Sequence, residues 1–89
     1  MHAVVVKVSI HDAEDAQVNL EKQVVPTVSQ IPGFAAGYWT RSDDGSNGIA
    51  MMMFDSKDAA RAASERIPEH VPDSVTLENV EVREVVANA

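Results

Sequence analysis

At 89 residues and 9.6 kDa the chain has room for one domain with a thin core, because a domain this short buries only about 60 to 65% of the surface its unfolded chain exposes. Its 45% apolar and 24% charged residues exclude a disordered class, and no run approaches the roughly 18 apolar residues of a membrane helix. Fourteen acidic against seven basic side chains, a net charge of −7, repel nucleic acid and acidic lipid, and the lack of any cysteine rules out disulfides, thiol catalysis and cysteine-held metals.

The chain enters a valine-rich strand almost at once, without the basic region, apolar helix and small-residue cleavage site of a signal peptide, and a cytoplasmic location is the expectation. From Ala3 to Ile10, Val4, Val6, Val8 and Ile10 alternate with Val5, Lys7 and Ser9, the period of two that a strand requires. A helix is predicted over Ala13 to Gln30, where Ala13, Ala16, Leu20, Val24, Val28 and Ile31 recur at steps of three and four. Asp12 is placed to cap it, and the helix dipole favours Asp15 in its first turn. Pro26 falls inside the apolar stripe and cannot donate to the carbonyl of Lys22, which predicts a kink or a tightening of the last turns. Pro32-Gly33 closes the element.

Phe34 to Ser42 and Gly48 to Phe54 read as strands joined by Asp43-Asp44-Gly45-Ser46-Asn47, a cluster of turn formers, and so as an antiparallel hairpin. Ser56 is placed to cap a second helix, Lys57 to Ile67, whose small buried side of Ala60, Ala63 and Ile67 lets it lie close to a sheet; Pro68 and Pro72 stop it. The last strand runs from Val75 to Val86. Its apolar set changes phase, from Val75 and Leu77 to Val80 and Val82, which predicts a bulge near Glu78-Asn79.

Strand-helix-strand-strand-helix-strand is the order of a ferredoxin-like α+β fold, a four-stranded antiparallel sheet with both helices on one face. The other face keeps Val5, Tyr38 or Trp39, and part of the Met51-Met52-Met53 run. That apolar patch is larger than soluble monomers carry, and it predicts a homodimer in which two copies close sheet against sheet.

In Ile31-Pro32-Gly33-Phe34 at the close of the first helix, in Asp44-Gly45 of the hairpin, and in Phe54-Asp55-Ser56 followed by Asp58-Ala59-Ala60 at the opening of the second helix, the chain resembles the antibiotic biosynthesis monooxygenase-like proteins of the dimeric α+β barrel superfamily. By element order the resemblance runs over essentially the whole chain. It implies a dimeric α+β barrel and a cofactor-independent monooxygenase that acts on a small aromatic or polyketide-like substrate, with neither metal nor flavin. In such an enzyme the substrate, deprotonated to an electron-rich anion, itself reduces oxygen. The superfamily also contains haem-degrading enzymes, isomerases and small proteins of unassigned role. Its haem degraders carry an asparagine on the first strand and a tryptophan in or near the second helix, where this chain has Lys7 and Ser9 and no aromatic residue; only His70 could match their haem-ligating histidine. The alternative to an enzyme is a non-catalytic dimer that binds a small ligand or serves as an interaction module, a reading that the scarcity of polar residues at strand centres favours.

The candidate site follows from alternation. The resemblance makes Phe34 a helix-side core residue, and strict alternation then turns Trp39 and Arg41 to the opposite face, toward the barrel interior, where hairpin pairing brings Met51 and Met53 beside the indole. A flat ring, two polarisable thioethers and a guanidinium suit a planar aromatic ligand that bears an acidic group. The same side chains would equally fill a barrel core or a dimer seam, and a shift of register by one residue inverts the assignment. Lys7, set among valines, is a candidate anion anchor or base if buried, and otherwise reaches out at a strand edge or pairs with an acid such as Glu81. His70 is the candidate general base, because a free imidazole titrates near neutrality. His2, His11 and His70 lack the spacing of a metal-binding pair, and no metal site is predicted. The serines have no Gly-x-Ser-x-Gly setting and no phosphate-cradling glycine loop occurs, which sets nucleophilic hydrolysis and nucleotide binding aside.

Overall fold

The computed structural model describes the backbone of residues 1–89 and every side chain except that of His70. Strands β1 (His2–Ile10), β2 (Phe34–Arg41), β3 (Asn47–Phe54) and β4 (Val75–Glu84) form one antiparallel sheet in the order β2-β3-β1-β4. Two helical segments connect β1 to β2 and β3 to β4. Both pack on the same face, where Val28 from the first, Ile31 just after it, and Ala60 and Ala63 from the second meet Val4, Val6, Met52 and Phe54 of the sheet. This is the ferredoxin-like arrangement expected from the order of elements. No helix is long and apolar enough to cross a membrane.

The first helix opens where Asp12 caps it, its carboxylate accepting from the Asp15 N–H at 3.1 Å. It is α-helical over Ala13–Asn19, widens into a π-helical turn over Leu20–Val24, and returns to α-helix over Val25–Val28. In the widened turn the Val25 N–H donates to the Leu20 carbonyl, five residues back. Pro26 gives the physical reason: its ring crowds the preceding turn and it has no N–H to offer, so one extra residue in that turn relieves the clash at little further loss. The helix therefore loosens where the sequence suggested a kink or a tightening.

Gly33 then reverses the chain at φ +88°, in the left-handed region that favours glycine. A Cβ there would come within 2.6 Å of Asp55 Oδ1 and 2.9 Å of Ala59 Cβ. The Gly33 carbonyl accepts from the Asp55 N–H at 2.8 Å, which ties the start of β2 to the start of the second helix.

That second helix spans Lys57–Arg66 and is capped by Ser56, whose hydroxyl oxygen accepts from the Ala59 N–H at 3.1 Å. Ala60 and Ala63 are buried, so its backbone lies close to the sheet as their small size predicts. A 3₁₀ turn, Ile67–His70, carries the chain on toward β4. At the centre of the core, Val4 and Phe54 have no exposed surface. Phe34 meets Phe54 edge to face, with ring centroids 5.8 Å apart and planes at 78°, the geometry that aromatic quadrupoles favour.

Two irregularities set which side chains face the helices. In β4, Asn79 pairs with Lys7 and Leu77 with Val8, which leaves Glu78 as the extra residue of a bulge at the predicted place. In β2, Phe34 pairs with Phe54 but Ala36 pairs with Met53, so Ala35 is also extra. Strict alternation along β2 fails at that point, and Phe34 and Trp39, five residues apart, both join the helix-side core.

The hairpin turn carries its own charge device. Asp44 accepts from the Ser46 N–H at 3.0 Å, the Ser46 hydroxyl at 2.7 Å and the Ser42 hydroxyl at 2.8 Å. These bonds, those of Ser46 foremost, favour the ionised form and lower its pKa from 3.8 to about 2. A carboxyl whose pKa is depressed on folding contributes its full stabilisation above the unfolded value and loses it as the pH falls through the folded one. The contribution of Asp44 is thus expected to vanish between about pH 4 and pH 2. Urea midpoints of wild type and Asp44→Asn measured across that interval should converge; curves that stay parallel down to pH 2 would show that the turn does not depend on the charge.

Candidate functional site

A cavity of about 420 Å3 lies between the first helix and the sheet. Val6 of β1, Ala50 and Met52 of β3 and Trp39 of β2 form its floor; Ala16, Leu20, Val24 and Val28 of the first helix form its roof; Ile67, Val71 and Pro72 close one end. The roof stands off because no residue of the first helix is fully buried, in contrast to the alanine side of the second. The volume lies within the roughly 300 to 1,000 Å3 usual for small-molecule sites, and Leu20 and Val24 of the widened turn are part of the lining. Such turns recur at functional sites, because an extra residue re-aims the side chains on either side of it.

Trp39 owes its position to a neighbour that has no side chain. A Cβ on Gly37 would fall 2.7 Å from Cη2 and 2.8 Å from Cζ3 of the indole, and 3.1 Å from Cζ of Phe34. The ring therefore folds back along its own strand over Gly37, with Phe34 at its edge. Arg41 follows on the same side of β2 and lines the cavity; among the described residues it is the charged group on that lining. Gln17, Asn19, Gln23 and Thr27 of the helix and Thr40 of β2 add polar atoms to mainly apolar walls. An apolar slot with an indole on its floor and a guanidinium at its margin can sandwich a flat ring and hold an acidic substituent.

The expected site residues separate into two groups. Trp39 and Arg41 line the cavity, but on the helix side of the sheet and not on the open side. Met51 and Met53 are not beside Trp39: the indole strand pairs Trp39 with Ala50 and Tyr38 with Met51, so both methionines lie on the opposite face. The bulge at Ala35 is the cause, since one extra residue exchanges the faces of everything after it. Lys7 is exposed on that opposite face, paired in register with Ile49 and Asn79, and Glu81 forms its ion pair with Arg83, at 3.1 Å, and not with Lys7. The pocket thus lies outside the space that two facing sheets would enclose. His70 belongs to the 3₁₀ turn Ile67–His70 that leads into the end wall; its side chain lies outside the described residues. Sequence reasoning missed Met52, Gln23, Thr27 and the seat at Gly37. Gln23 and Thr27, four residues apart beside the apolar stripe, are the signal that could have pointed to the helix side.

A split βαβ sheet with both helices on one face defines a class of fold, and solved structures share it. A variant of SnoaB, a cofactor-independent oxygenase from Streptomyces nogalater, superposes with a TM-score of 0.74 at 17% identity, over 98% of this chain and 94% of that one. A dimeric ferredoxin-like protein from an uncultured marine organism superposes with a TM-score of 0.62 at 10% identity, over 100% and 98%. MhuD, a haem degrader from Mycobacterium tuberculosis with two haems bound in its active site, does so with a TM-score of 0.57 at 24% identity, over 97% and 98%. The fold to which the sequence resemblance pointed is therefore the fold of this chain. No family model and no curated protein matches the chain.

Proposed function

We propose that the chain is a cofactor-free monooxygenase that binds a flat aromatic or polyketide-like substrate in the cavity beneath its first helix. The observation that carries this reading is the cavity itself: about 420 Å3 of mainly apolar space with Trp39 on the floor and Arg41 on the lining. Trp39 stacks on the substrate and Arg41 favours its deprotonated form, which is the species able to pass electrons to oxygen. For an anthrone-like substrate the ring methylene loses its hydrogens and becomes a carbonyl, one oxygen atom of O2 enters the product and the other leaves as water. His70 is the proton-transfer candidate of this reading, on its place in the chain alone. The fold shared with SnoaB supports the assignment by analogy of architecture. Lys7, Met51 and Met53 take no part in it; they belong to the open face, which a second copy covers in a homodimer. A cytoplasmic location completes the reading, on the sequence alone.

The test is oxygen uptake with a panel of hydroxylated anthrones and quinols. Wild type should consume oxygen above background, and Trp39→Ala and Gly37→Ala, which delete the indole and push it off its seat, should each lose about tenfold or more, the scale of a stacking contact of about 1.4 kcal/mol.

The second reading is a non-catalytic ligand-binding module. A specific observation favours it: among the described residues that line the cavity there is no carboxylate, lysine or histidine to act as a base. Uptake that stays at background for all three proteins, while the same compounds quench the indole, would decide for the module.

A further inference from the structure

The cavity has a smaller neighbour. A smaller depression, about 210 Å3, lies in the groove between the end of the first helix and the second helix. Thr27, Val28, Met52 and Ile67 border both spaces, so the two adjoin along a cleft between the two helices and the sheet. Arg66, in the last turn of the second helix, lines this smaller space.

Charge along the cleft runs against the charge of the chain. The sequence has 14 acidic and 7 basic residues, yet among the described residues no aspartate or glutamate lines either space, and the charged groups that do are Arg41 and Arg66. Neither is engaged elsewhere in an ion pair, since the pair found among the described residues joins Arg83 to Glu81. A random draw from so acidic a surface would bring carboxylates into the lining first. Both arginines are exposed, and the absence of acids from the lining leaves the positive potential of the two guanidiniums uncancelled there. Arg66 also suits the helix dipole in its last turn, but that role needs only a cation and does not empty the groove of acids.

We propose that Arg66 is a second anion-binding position of the cleft, so that the ligand is an elongated aromatic acid whose ring system lies against Trp39 and whose acidic group is taken between the helices. The inference rests on the reading of the Trp39 cavity as a ligand site and names the class of ligand. A planar guanidinium can hold a carboxylate or sulfonate through two parallel hydrogen bonds, which a lysine cannot reproduce.

Trp39 is the only tryptophan of the chain, so quenching of its fluorescence reads occupancy directly. Two probes share one ring system and differ in charge: 1-anilinonaphthalene-8-sulfonate and the uncharged N-phenyl-1-naphthylamine. Wild type should bind the sulfonate about tenfold more tightly than the neutral probe, the scale of one charge-assisted hydrogen bond. Arg66→Gln should lose most of that preference while its affinity for the neutral probe stays unchanged, which also shows that the variant is folded; Arg66→Lys should keep part of it. An Arg66→Gln protein that binds the sulfonate as tightly as wild type overturns the assignment and leaves the cavity reading intact. If neither probe quenches wild type, the cavity reading falls and this inference with it.

Discussion

Phe54→Ala is expected to lower the melting temperature by about 15 °C or more, because removing a buried phenylalanine costs roughly 3 to 5 kcal/mol and each kcal/mol moves a domain of this size by about 4 to 8 °C. Phe54 has no exposed surface, and its ring is the edge-to-face partner of Phe34. Loss of its ring would empty space between the sheet and Ala60, a position too small to collapse into the void. An 89-residue chain has only roughly 4 to 13 kcal/mol of total stability to set against this loss. Phe54→Leu, which keeps most of the volume, should cost less than half as much, and Val86→Ala, at a side chain 87% exposed, should stay within about 0.5 kcal/mol of wild type. Differential scanning calorimetry of the three variants checks the order. A fall of less than about 5 °C for Phe54→Ala would mean that the core is looser than its packing indicates.

The same packing explains what could be read from the chain and what could not. Element order, both side-chain caps and the bulge at Glu78 were legible, because each rests on a local signal: a period of two or of three to four, a serine or aspartate before a helix, a phase change in a valine pattern. The face of Trp39 was not legible. It depends on one extra residue, Ala35, in a stretch of small side chains (Phe34-Ala35-Ala36-Gly37) where no alternation of large and small residues marks the register. A bulge among alanines and glycine leaves no pattern to break, whereas a bulge among valines shows at once. Pro26 was legible as a disturbance but not in its direction, since a missing N–H can be accommodated by a tighter or a wider turn. The widened choice matters, because Leu20 and Val24 of that turn roof the cavity. The cavity of the single chain therefore lies on the helix side of the sheet, across from the face where a pocket was expected.

That displacement sharpens the case for the open face. Freed of the pocket, this face presents Tyr38, 65% exposed, with Met51 at 42% and Ile49 at 41%; Tyr38 lies opposite Met51, and Val5 opposite Met51 on the other side. Large apolar side chains at strand centres gain only by burial, and a second copy offers the same patch in return, which a two-fold axis makes self-complementary. Met51→Lys is expected to separate the copies. An ammonium at that position would lie diagonally across the β1–β3 ladder from Lys7, a like charge, and Glu81, the acid of its row, is already paired with Arg83. Burying it unpaired costs at least about 3 kcal/mol in each copy, and since symmetry applies the penalty twice, association should weaken by about 10⁴-fold. Sedimentation at micromolar concentration should then give wild type at twice 9.6 kDa and the variant at 9.6 kDa. Val18→Lys places the same charge on the first helix, at a side chain 49% exposed and off the sheet, and should leave the assembly unchanged. A Met51→Lys protein that still sediments as wild type does would remove the open face as the seam. The cavity would survive that result, because its floor and roof come from one copy and nothing in its lining waits for the partner.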